Sequence, residues 1–322
     1  MAGTWGTIRG RIITPSASSG SFEKRGFHIK SLDAREALEK TSRMFMNGYA
    51  YAAAADTVAE AQDRIAQLPW QFRGFAYEGA AMGYAVRDGM PVGNTRHVTD
   101  LLAGRTDGHI YMIHFGVGWA MARLPRFRWK TLGAAVPNPL FRWLVLDGYG
   151  FHQAYFKTNK YVRRQYREPR FPWPGEGPDG YANRVIDQGI GRAMWFVGGA
   201  DPNRVADMID RFPESRRADL YAGSGLVATY AGAANEGELL TFLHRAGTYA
   251  PQVAQGSVFA AAARVETGLV TEHTGLATRV LAGVTPEQAA KIFHDARPAS
   301  KTNGDTPLFE LWRQHIIAAM PA

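Results

Sequence analysis

Three features of the sequence predict an all-α chain, built as a helical-repeat (tetratricopeptide-like) α-solenoid of about seven helix pairs. The first is a recurring pair of small residues inside apolar runs. It appears as Gly48-Tyr-Ala50, Gly79-Ala-Ala81, Gly116-Val-Gly118, Gly148-Tyr-Gly150, Gly189-Ile-Gly191, Gly223-Ser-Gly225 and Gly256-Ser-Val258. The lead glycines are separated by 31, 37, 32, 41, 34 and 33 residues, a period that marks a helical repeat array. The second feature is a series of helix-capping signatures ahead of stripes with i, i+3, i+4 periodicity. The third is negative: no run of four to eight β-branched or aromatic residues alternates with a period of two.

A glycine inside a helix costs roughly 1 kcal/mol relative to alanine, so the pairs need an offsetting gain. Close approach of neighbouring helix backbones supplies one. A dinucleotide-binding turn is the competing explanation, but it needs a third glycine in G-x-G-x-x-G between a strand and a helix. None of these pairs has it.

Along the chain, residues 1–30 read as an irregular segment and 31–322 as a single α-helical repeat domain. Asp33-Ala-Arg-Glu36 reads as a capping box opening a helix that runs through Met44 and Phe45 to Ala55. Thr57-Val-Ala-Glu60 is a second box, with Val58, Ala61, Ile65 and Leu68 on one face before Pro69. GFAYEGAAMGYAVRD begins the second pair, with GMPVGN as a turn. YMIHFGVGWAMARL begins the third and ends at Pro125. Arg126–Pro139 reads as an insertion before LFRWLVLDGYGFHQAYF. The Pro- and Gly-rich EPRFPWPGEGPDG then lengthens the next connection and accounts for the 41-residue spacing. Asp201-Pro202 and Thr285-Pro286 each place a capping side chain before a first-turn proline. Val205, Met208, Ile209 and Phe212 form a buried stripe, and Ala289–Ala296 is a late helix. PLFELWRQHIIAAM is amphipathic and suits a terminal capping helix.

Composition narrows the chemistry. The absence of cysteine excludes disulfides, thiolate zinc sites and iron–sulfur clusters, and agrees with a cytosolic protein. The N-terminus lacks the apolar core of a secretory signal, and the one 18-residue window free of charge, residues 246–263, carries Pro251, Gln252, Gln255 and Ser257 and is not the predominantly apolar run that a membrane span requires. The net charge of +8 is concentrated: residues 123–170 hold 11 Lys/Arg against two acids, while the rest holds 26 against 27. That window also carries Phe127, Trp129, Phe141 and Trp143. It reads as a solvated basic face, as a docking surface for anionic membrane or an acidic protein, or as a phosphate-attracting field. The lack of any known nucleic-acid module argues against the last.

The segments RGFAYEGAAMG, HFGVGWAMARLP, LDGYGFHQAYF, DQGIGRAMWFVGGADP, RFPESRRADLYAGSGLVATYAG and AQGSVFAAAAR, with TWGTIRGRIITP and KRGFHIK, resemble the bacterial domain-of-unknown-function 1702 family. That family is typified by the UnbL-type protein of enediyne biosynthetic clusters. The resemblance covers nearly the whole chain. It implies a bacterial protein of secondary metabolism, while the lack of cysteine and the basic window give the expected location, cytoplasmic and peripheral at the inner membrane face. Its implied partners are companion proteins of the same cluster, one of them an integral membrane protein. It also implies a hydrophobic polyene intermediate, and it brings no established catalytic residues or cofactor.

Aligned on the lead glycines, the preceding positions form a polar column. It contains Glu78, Asp147, Gln188 and Gln255, with His114 and Asp187 one position earlier. Such a column reads either as a strip along a binding groove or as a ladder of buried side chains bonded to neighbouring helices. On the first reading Asp147, His152 and Asp187 are the candidate catalytic core. Glu78, His114, Trp119, Arg192 and Trp195 then contact the substrate, since a long flat polyene needs aromatic walls with a few polar anchors. Arg126, Arg128, Lys130, Arg163 and Arg164 are the candidate docking residues. There is no H-E-x-x-H, P-loop or G-x-S-x-G. No metal site is assigned and the cofactor stays open, although His114 and His152 could share a metal or haem. Two functions follow: a non-catalytic polyene-binding protein or adaptor to a membrane-bound partner, or an enzyme or enzyme subunit acting on the linear polyene.

Overall fold

The computed structural model describes residues 20–90, 96–104, 108–173, 178, 180–299 and 306–321. All regular structure among them is helical, with no strand. The chain divides into two compact units, Met1–Gly26 with Glu39–Tyr149, and Phe27–Leu38 with Gly150–Ala322. Most of the N-terminal segment expected to be irregular lies outside the described residues, as does most of the expected GMPVGN turn. A one-turn helix, α1 (Phe22–Arg25), follows, capped by Ser21.

The first unit contains most of α2 (Leu32–Ala54), α3 (Val58–Ala66), α4 (Arg73–Asp88), α5 (His97–Ala103), α6 (Ile110–Met121), α7 (Trp129–Ala135) and the start of α8 (Leu144–Phe156). Helices α4 and α6 pack along each other, and residues 74–86 and 111–121 are buried without interruption. The expected capping box at Asp33 is not what opens α2. Ser31 Oγ accepts from the Ala34 amide, so the cap sits two residues earlier and Asp33 falls in the first turn. At α3 the expectation is met in half: Thr57 Oγ1 accepts from Glu60 N, but the Glu60 carboxylate takes the Asp56 amide rather than that of Thr57, so the reciprocal bond of a capping box is not made. The presumed insertion 126–139 holds a 3₁₀ turn, Arg126–Arg128, and the short α7.

The second unit continues with α9 (Tyr181–Val197), α10 (Pro202–Asp210), α11 (Glu214–Ala231), α12 (Glu236–Ala246), α13 (Ala250–Glu266), α14 (Glu272–Ala282), α15 (Pro286–Asp295) and α16 (Leu308–Ala319). Helices α9, α11, α13 and α15 pack in succession, and α10, α12 and α14 form a second row. Asp201 and Thr285 cap α10 and α15 as their sequences indicate, and the latter helix starts at Pro286 rather than Ala289. A further capping box, Asn235 with Glu238, opens α12.

The glycine pairs lie where helix backbones touch. Gly118 faces the Val145 carbonyl while Gly148 faces that of Phe115. In the second unit Gly191 faces Leu220 while Gly223 faces Gln188, and Gly225 faces Val253 while Gly256 faces Ala222. The rule is reciprocal. The second glycine of one pair meets the carbonyl three residues ahead of the next lead glycine. That lead glycine meets the carbonyl just ahead of the previous one. Gly48 and Gly79 use a symmetric variant, facing Ala76 and Phe45.

Two arginine positions repeat with the same register. Arg73 and Arg217, six residues before lead glycines, donate to carbonyls at the end of the preceding short helix and just past it: Ala66 and Leu68, and Asp210 and Phe212. A cation there also complements the negative end of the helix dipole. Arg87 and Arg264, eight residues after lead glycines, donate to the carbonyls of Ala55 and Tyr230 near the end of the preceding long helix.

The interlock gives a direct stability test. At Gly223 an added Cβ would overlap the Gln188 carbonyl, whereas at Gly237, exposed near the start of α12, the nearest atom is the Asn235 side chain at 3.6 Å. Gly223→Ala is expected to lower stability by about 1–3 kcal/mol, and Gly237→Ala to be neutral or stabilising by up to about 1 kcal/mol. Urea denaturation of both variants checks this; equal midpoints would refute the close-approach account.

Candidate functional site

Burial dominates the polar column. In the first unit Glu78 on α4, His114 on α6 and Asp147 on α8 are all buried, with exposures of 5, 1 and 2 %. The Trp119 indole N–H, five residues beyond His114 on α6, donates to Glu78 Oε1 at 3.0 Å. Trp119 also stands 4.4 Å from the Phe45 ring. Two predicted substrate contacts are thus brought into one interior hydrogen bond.

His114 lies edge-on to the Phe141 ring at 5.8 Å. Its Nδ1 lies 2.7 Å from the Ile110 carbonyl one turn back, which places the proton on Nδ1 because a carbonyl can only accept. Nε2 is then a buried lone pair with no hydrogen-bond partner among the described residues. Burial pushes the imidazole down to about 4, with the Ile110 bond opposing. At neutral pH the ring is uncharged.

In the second unit Asp187 on α9 is held at both oxygens by Arg216 on α11, at 2.6 and 2.9 Å. The third guanidinium nitrogen donates to the Gln165 carbonyl at 2.7 Å. Burial pushes the Asp187 carboxyl up to about 6 against the opposing pull of Arg216. Arg192, five residues on, lies over the Phe151 ring at 5.0 Å and has no bond to Asp187. His152 is buried beside Phe156, 4.6 Å between rings. Trp195 is wholly buried, and its N–H donates to the Gly232 carbonyl at 2.9 Å.

The column positions Gln188 and Gln255 belong to a larger cluster that sequence reading missed. Arg313 of α16 donates to Asp219 on α11 at 2.7 Å, to Glu310 at 2.9 Å and to Gln255 on α13 at 3.2 Å. Arg184 of α9 reaches Asp219 at 2.9 Å and Glu310 at 3.0 Å. Gln188 donates to Asp219, and the Tyr181 hydroxyl to Glu310. Two arginines and two carboxylates balance. Burial alone would lower Arg313, but Asp219 and Glu310 outweigh it and hold the guanidinium above its ordinary value. The hint in the sequence is the pair Glu310 and Arg313 on one face of α16, beside the apolar Phe309, Trp312 and Ile316. That is the side an amphipathic helix buries.

The docking candidates divide. Arg126, Arg128 and Lys130 belong to the first unit, where Arg126 and Lys130 are exposed and Arg128 is half-buried. Arg163 and Arg164 are exposed in the second unit, around the π-helical turn Asn159–Arg163. Among the described residues no group of three His, Asp or Glu side chains converges to hold a metal ion, and no helix is long and apolar enough to cross a membrane.

A family model described as "Protein of unknown function (DUF1702)" matches residues 4–320. No curated protein and no solved structure matches.

His114 generates a pH test. In the unfolded chain the imidazole titrates near 6.5, in the fold near 4. The native state therefore binds fewer protons in that interval, and its stability falls as pH drops from about 6.5 to 4, by up to about 3 kcal/mol. Above 6.5 the group contributes nothing. Wild-type protein should lose more stability than His114→Gln between pH 7 and 4.5, by urea midpoints; parallel losses would contradict the burial of a neutral ring.

Proposed function

The chain belongs to the DUF1702 family, and from that premise we propose that it is a non-catalytic accessory protein of enediyne or polyene biosynthesis. In this reading the chain is an α-solenoid of tetratricopeptide-like pairs that binds the polyene or joins it to a membrane-associated companion. The polyene rests on the family resemblance. The solenoid rests on the repeated glycine interlock and the two repeated arginine clamps.

The observation that carries the non-catalytic reading is how the acids are engaged. A general acid or base must reach a substrate proton, yet Asp187 has both oxygens on Arg216 and Glu78 accepts from Trp119. His114 is uncharged and buried. These are the bonds of a stiffened interior. Removing one member of a buried ion pair commonly costs about 3–5 kcal/mol.

The purified protein alone should leave the linear polyene unchanged, with conversion only when its companions are added. Asp187→Ala should lower the melting temperature and the reconstituted product yield together. Turnover by the protein alone, or lost product with an unchanged melting temperature, would favour the enzyme reading instead.

A further inference from the structure

We propose that the turn Pro125–Lys130 is a membrane-docking wedge, in which Phe127 enters the headgroup–acyl boundary of an anionic bilayer while Arg126, Arg128 and Lys130 engage lipid phosphates. Phe127 is 76 % exposed, a large aromatic ring held in water at a defined place. The turn is fixed from beneath. Trp129 is buried, and its N–H donates to the carbonyls of Met121 and Leu124 at 3.0 and 3.3 Å, tying the turn to the end of α6.

The flanking cations are arranged around the rings. Arg128 lies over Phe127 at 5.3 Å and Arg126 over Trp129 at 5.4 Å. Between residues 123 and 146 there are five Lys/Arg and no Asp or Glu. Leu32, Trp70 and Leu240 are also exposed, but none stands between two arginines. An aromatic residue bracketed by basic ones matches the bilayer interface, where rings sit at headgroup level and cations meet anionic lipid. Arg163 and Arg164 are not part of the wedge. The proposal rests on the membrane-side half of the function proposed above and is independent of the polyene.

Because the chain has no cysteine, Phe127→Cys accepts a single environment-sensitive fluorophore, and Leu240→Cys serves as the control. With phosphatidylcholine vesicles containing about 30 % phosphatidylserine at low salt, the label at 127 should shift to the blue and the label at 240 should not. Unlabelled protein should co-sediment with these vesicles but not with pure phosphatidylcholine, and high salt should release it. Arg126→Glu and Arg128→Glu should each weaken binding by about five-fold or more, and Phe127→Ala several-fold, with melting temperatures unchanged. No vesicle binding at low salt would overturn the wedge, as would binding without a shift at 127, or binding to an acidic companion protein alone. Companion-dependent conversion of the polyene by wild-type protein that binds no vesicles would leave the accessory role standing while removing the wedge.

Discussion

Backbone touching backbone is the constraint from which the rest of this structure follows. Where Gly118 and Gly148, or Gly191 and Gly223, meet the carbonyls of the neighbouring helix, the helices stand closer than any side chain would permit. The cost of glycine in a helix is offset by dense packing along the whole crossing. That closeness leaves the long helices buried on nearly every side. A polar group on them must therefore find a partner inside the protein or go unsatisfied.

This explains the character of the interior. Asp187 is matched by Arg216, and Asp219 by Arg184 and Arg313. Buried ion pairs contribute little net stability against well-packed apolar residues, but they penalise any arrangement that separates them. Apolar faces made mainly of alanine and glycine specify alignment weakly. The ion pairs and the arginine clamps at Arg73, Arg87, Arg217 and Arg264 add directional bonds that each accept one alignment of neighbouring helices.

Much of the helical layout was legible because its signals are local. A glycine pair inside an apolar run is conspicuous, and Thr57, Asp201 and Thr285 cap helices through atoms a few residues away. The error at Asp33 has the same origin: Ser31 carries an equally good oxygen two residues earlier, and local chemistry does not rank them. Helix α7 was missed because seven residues between prolines look like a loop. The arginine clamps were invisible for another reason. Their acceptors are backbone carbonyls, which every residue possesses. The column of Glu78, His114, Asp147 and Asp187 could be aligned from the sequence, but not its partners. Arg313 and Asp219 are 94 residues apart, and nothing in either segment names the other.

That separation has a consequence for biosynthesis of the chain itself. At about 5–20 residues per second, Asp219 leaves the ribosome roughly 5–20 s before Arg313. Until then α11 and α13 exist without α16, and Asp219 has Arg184 and Gln188 but not the cation that completes its shell. In the nascent second unit this cluster therefore stands without Arg313 and Glu310 until the last helix arrives. A ribosome stalled before residue 313 would hold a chain with every glycine crossing available and its charge cluster still incomplete.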